Sequence, residues 1–219
     1  MLTRRSFVAG LTTLAISSKL RATQSCGVLF NGVPACRAEV DLSKVLLSIT
    51  RQQCAEWCWA ASIAMIFRLY GHPIDQKQIV LQTFGDVVCL PAGVTRTITS
   101  ALSKKYRDAT GRFFTSNVVA AYDAENGIND ITNTFIVNEL RDNHPLLYCN
   151  RSHAMVLCAV DFIPTMLGPD IRAGGVADPW PFSPALHNLS VPELIAANAS
   201  PLGQMTYLAS VRVEDADPD

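Results

Sequence analysis

"QQCAEWCWAASIAMIFRLYG", residues 52–71, sets two cysteines four positions apart in front of an Ala-rich apolar run that stops at a glycine. Ala, Ile, Met and Leu at this spacing predict a buried helix beginning at or near Cys58 and ending at Gly71. Cys58 then stands at the helix N-terminus, where unpaired backbone N–H groups and the positive end of the macrodipole favour an anion. Cys54 falls in the preceding loop, outside that field. A thiol attacks a carbonyl carbon as the thiolate and is mostly protonated at neutral pH, so the helix start marks Cys58 as the candidate nucleophile and leaves Cys54 a structural role.

Such a sulfur needs an imidazole, both as ion-pair partner and as proton donor to a leaving amine. His72 in "YGHPID" and His144 in "DNHPLL" each precede a proline, and His187 sits in the polar "ALHNLS"; all three read as surface turn residues. His153 opens the apolar run "SHAMVLCAV", where a strand can hold the ring rigidly at the edge of a cleft.

Around these residues the pattern predicts a second helix from the N-cap Asp75 to Gly85 and a third over about Thr95 to Tyr106. A fourth falls within "DITNTFIVNELRDN", capped by Asp130. The segments "RFFTSNVVAAY", "PLLYCN", "HAMVLCAVDF", "GVADPW" and "MTYLASVRVE" read as strands. Helices first and strands second imply an α+β class with a cleft where the halves meet.

With 219 residues, 49% apolar and 17% charged, and no repeat or long linker, the chain makes one structural unit. Residues 1–22 join the pair Arg4–Arg5, followed by Ser6 and Phe7, to an apolar stretch too short to span a bilayer. This resembles a twin-arginine export signal, cut near Ala22, rather than a membrane anchor. Its removal leaves 14 basic against 19 acidic residues, a formal charge of −5. With no Lys/Arg cluster, nucleic acid is excluded as a partner. Seven cysteines in an exported chain suggest three pairs and one free thiol; with Cys58 free, the preferred pairing among the fifteen possible is Cys26–Cys36, Cys54–Cys89 and Cys149–Cys158. No C-x-x-C, H-x-x-x-H or phosphate-loop pattern occurs, so no metal or cofactor is expected.

Gln52, Cys58 and Trp59, with Gln six positions before the cysteine and Trp directly after it, resemble the papain-like cysteine proteases, as do "HAMV" at His153 and "DPW" at 178–180. The "WCWAAS" and "ADPWP" segments are most similar to bacterial branches of that family, the plant-pathogen effector proteases and bacteriocin-leader peptidases. The resemblance covers about residues 45–213. It implies Cys58 as nucleophile, His153 as proton shuttle, Asp178 (where papain has Asn) orienting the ring, Trp180 covering that bond, and Gln52 in the oxyanion hole. It also implies a helical lobe over about 45–110 packed on an antiparallel β lobe over about 111–213, the site between them, within a domain spanning 23–219. Cys58 and His153 are 95 residues apart, closer than in papain and the cathepsins, and the local C-G-S/A-C-W signature is absent.

The function expected is that of an exported bacterial endopeptidase, periplasmic or extracellular, that acts as a monomer on protein or peptide substrates, with no stable membrane association. Acyl transfer or amidase chemistry on the same residues, and a binding module that keeps the fold without activity, are the alternatives.

Overall fold

A computed structural model describes residues 23–28 and 32–218. The export signal expected over 1–22 and its expected cleavage point lie outside the described residues. Two strands, β1 (Thr23–Val28) and β2 (Pro34–Glu39), come before the helices α1 (Leu42–Ser48), α2 (Cys58–Leu69), α3 (Gln76–Phe84) and α4 (Thr95–Leu102). After them run β3 (Lys105–Arg107), β4 (Phe113–Asp123), β5 (Ile128–Asn129), α5 (Asn133–Arg141), β6 (Leu146–Cys149), β7 (Ala154–Thr165), β8 (Gly168–Ala177), β9 (Leu186–Asn188) and β10 (Tyr207–Ala216). The class is α+β, but the order is not simply helices and then strands. The ladder runs β1-β2-β7-β6-β10-β4-β3, with β8 and β9 joined through β7, and every pairing of named strands is antiparallel.

α2 begins at Cys58, and residues Trp59 to Phe67 are all buried, so this helix is wrapped on every side by the fold. Phe67 meets Tyr106 and Phe114 at 5.1 Å each, which ties α2 to β3 and β4. Residues 154–160 of β7 are buried without alternation, the mark of a strand covered on both faces; α2 and α5 both pack on it. One edge of β7 is shared by β6 at 154–157 and β2 at 159–162, leaving the other to β8.

α3 follows its predicted punctuation: the Asp75 carboxylate accepts from the Lys77 N–H, and Gly85 closes the helix with φ 78°. Two boundaries differ from the sequence reading. α4 stops at Leu102 because Lys105–Arg107 pair with β4 as a strand, an edge contact invisible to local periodicity. α5 is capped by Thr132, whose hydroxyl accepts from the Phe135 N–H, and not by Asp130.

Cys26–Cys36 clasps β1 to β2, and Cys54–Cys89 ties the loop before α2 to the loop after α3, as the preferred pairing had them. Two disulfides fit an oxidising compartment. The third predicted bond is absent: Cys149 and Cys158 are buried free thiols. Cys149 stands opposite Ala154 in the β6–β7 ladder, four residues from Cys158. At about 3.3 Å per residue this separates them by about 13 Å, beyond the roughly 7 Å limit for a disulfide. Among the described residues, no helix is long and apolar enough to cross a membrane.

Candidate active site

The Trp57 N-cap offers α2 no side-chain capping bond, so the N–H groups of its first turn, that of Cys58 included, have no acceptor within the helix. Cys58 is a half-buried free thiol. Four residues on, and so on the same helical face, the Ser62 hydroxyl donates to the carbonyl of Ala154 at 3.0 Å. This bond pins the Cys58 end of α2 to the first residue of β7, beside His153. The turn joining β6 to β7 is closed by Asn150, whose Oδ1 accepts from the Ser152 and His153 N–H groups at 3.0 and 2.8 Å.

His153 Nε2 lies 2.7 Å from Asp178 Oδ1, which fixes the tautomer and leaves Nδ1 unspent in a cleft that the ring lines together with Cys58. Burial disfavours the imidazolium, yet the bond to Asp178 and then the neighbouring Cys58 outweigh it, raising His153 to about 9. Burial likewise works against a charged Asp178. Hydrogen bonds from His153, Ser183 and the Trp180 N–H overcome it and hold the carboxyl well below the usual range. The Trp180 indole stands edge-on to the His153 ring, centroids 6.2 Å apart.

The segment before α2 is clipped to the one carrying Asp178. Gln52 N–H donates to the Pro179 carbonyl at 2.9 Å, and the Arg51 guanidinium donates to the carbonyls of Asp178 and Trp180. The side chain of Gln52 is buried and turned inward: Nε2 donates to the carbonyls of Cys54 and Ala55 at 3.0 and 2.7 Å, while Oε1 has no partner.

Cys58, His153 and Trp180 line a cleft of about 220 Å³ with Glu56, Pro91 and Arg151. The Cys54–Cys89 bond and the indole N–H groups of Trp57 and Trp59, donating to the carbonyls of Val88 and Leu90, fix the loop that carries Pro91. A larger chamber of about 460 Å³ shares Ala92, Gly93, Ile98, Cys149, Asn150 and Arg151 with the cleft and extends it toward Glu125 and Asn198. Burial, with the nearby charges of Cys58 and Asp123, pushes the Cys149 thiol far up and leaves it protonated in this shared wall.

Of the predicted site residues, Cys58, His153 and Asp178 meet in one constellation, with Gln52 beside it but not on the cleft wall. Two sequence readings are corrected here. His72 is buried, 5% exposed, against Asp108. His187 is no loop bystander either: β9 folds back on β8 and sets its Nε2 3.0 Å from Asp178 Oδ2, where Ser183 also donates at 2.5 Å. The signal for this return was the Pro-rich turn "DPWPFSPALH", which reverses the chain between Asp178 and His187. No protein-family model matches the chain, and no curated protein is significantly similar to it.

Proposed function

We propose that the chain is a papain-like thiol peptidase, exported from a bacterial cell. The reading rests on one observation: His153 joins Asp178 at 2.7 Å and lines one cleft with Cys58, which stands at the uncapped start of α2. A histidine that keeps its proton up to about pH 9 beside a sulfur at a helix N-terminus suits a thiolate–imidazolium pair.

In this mechanism the Cys58 sulfur bonds to the scissile carbonyl carbon, and the carbonyl electron pair moves to oxygen. The Cys58 N–H faces that oxygen as a donor; Gln52 joins it once one Nε2–H leaves its present carbonyl. Collapse breaks the C–N bond as His153 passes its proton from Nδ1 to the departing amine, leaving a thioester. Water then gives a proton to His153, and its oxygen displaces the sulfur, which restores the pair and releases the acid. Asp178 keeps the ring in the orientation both transfers need. The chamber beyond Cys149 has room for substrate side chains on one side of the scissile bond, which fits a peptide better than a small amide.

Cleavage of a peptide library by the mature chain under mild reductant, compared with Cys58→Ala, tests the reading. The variant is expected to lose about 10⁴-fold or more in kcat/KM, and iodoacetamide to label Cys58 alone in the native protein. Equal cleavage by both proteins, or a native Cys58 that resists alkylation, overturns it.

A further inference from the structure

His187 is not among the residues lining the cleft. It faces a separate cavity of about 290 Å³, lined by Arg37, Glu39, Leu42, Val45, Cys158 and Leu186 among others. Its ring nevertheless reaches the constellation from behind. Nε2 lies 3.0 Å from Asp178 Oδ2, and Nδ1 lies 3.1 Å from the carbonyl oxygen of Asn188. Both neighbours are acceptors, so the ring satisfies both only with a proton on each nitrogen; with one proton it keeps Asp178 through Nε2–H and gives up Asn188. The residue is held in place by the ladder in which it stands opposite Val176, and by the Asp178 N–H donating to the Ala185 carbonyl at 2.9 Å.

Asp178 therefore has two faces with separate duties. Oδ1 serves His153 and the Trp180 N–H, while Oδ2 is gripped by Ser183 and His187. Without His187, Oδ2 would rest on the rotatable Ser183 hydroxyl alone; the imidazole, held in the β8–β9 ladder, is the stiffer of the two grips and fixes the carboxylate plane, and with it the ring of His153. We propose that His187 is a positioning residue, acting on His153 through Asp178 from outside the cleft. The proposal rests on the peptidase reading for its role, though not for its geometry. The charged groups around His187 are Asp178 just after β8, Glu193 in the 3-10 turn Pro192–Leu194, and Arg37 and Glu39 of β2 across the cavity.

Two variants test it, His187→Leu and His187→Gln, the second restoring one N–H toward Oδ2. His187→Leu is expected to lower kcat about tenfold and leave KM within about twofold, because the group touches no substrate. Withdrawing its bond also returns negative charge to Asp178, so the pH above which iodoacetamide labelling of Cys58 ceases to depend on His153 moves up by about half a unit. His187→Gln is expected to restore most of both. Wild-type kcat and an unmoved alkylation profile in His187→Leu overturn the proposal, as does a loss of kcat that leaves the profile unmoved and is not repaired by Gln. Alkylation is read whether or not any peptide is cleaved. A protein that cleaves nothing yet shows the shifted profile refutes the peptidase reading and retains the positioning role.

Discussion

Two buried aspartates of the molecule are each paired with a histidine, and one of those pairs adjoins a free thiol. His153 meets Asp178 at 2.7 Å; His72 meets Asp108 at 3.1 Å. Both aspartates lie well below the usual carboxylate range for the same reason, hydrogen bonds that outweigh the penalty of burial. The differences are in exposure and company. The His72 side chain is 6% exposed and Asp108 fully enclosed, whereas His153 is 19% exposed at a cleft. His72 stacks on Phe114 at 4.4 Å, its second nitrogen turns to Asp215 at 3.6 Å, and Arg112 reaches Asp108 at 3.0 Å. These contacts join the turn after α2 to the β3–β4 turn and the end of β10. The His153 pair keeps one nitrogen for a sulfur. On the peptidase reading proposed above, a His–Asp contact is a structural clasp or a proton relay according to what remains unspent on the far side of the ring.

The contrast is sharpest under substitution within the two pairs. Asp178→Ala is expected to cost about 10³-fold in kcat/KM, since the ring loses its tautomer and orientation while the cleft stays open; hydrolysis of a fixed peptide measures it. pH gives the next largest effect. His153 is raised above its ordinary value, so its charged form is favoured by the fold: the associated stability is complete below about 6.5 and fades as pH rises through about 9. Activity that needs the imidazolium follows the same limb and falls about tenfold per pH unit above about 9, read from kcat/KM against pH. His72→Leu is expected to be the mildest for catalysis, with less than about twofold change in kcat, yet to cost about 1–3 kcal/mol of stability in a denaturant melt because Asp108 loses a partner while enclosed. A large loss of activity in His72→Leu, with stability intact, would erase the distinction between the two pairs.

Much of this was legible in residue order. The Ala-rich run and Gly71 give α2 and so the place of Cys58, and Asp75 and Gly85 bound α3, because helix caps are local chemistry. His153 was legible as the residue opening an apolar strand, and Asp178 only through its spacing to Trp180. What escaped was long-range. The N-terminal strands β1 and β2 join the sheet through β7, more than 120 positions later in the chain, and β3 replaces a helix end through its pairing with β4. His187 and His72 were misread for one reason: a histidine in a polar turn carries no mark of which carboxylate will fold against it. Cys149 and Cys158 looked like a pair by count, and only strand register shows them to be out of each other's reach.

The Cys54–Cys89 bridge carries a further consequence. It anchors the wall that faces a free sulfur only four residues along the chain. One redox environment must therefore keep the first oxidised and the second free, so that a reductant has to be strong enough to protect Cys58 and too weak to unfasten the rim beside it. The working range of this molecule is bounded by electron supply on both sides, as well as by protons.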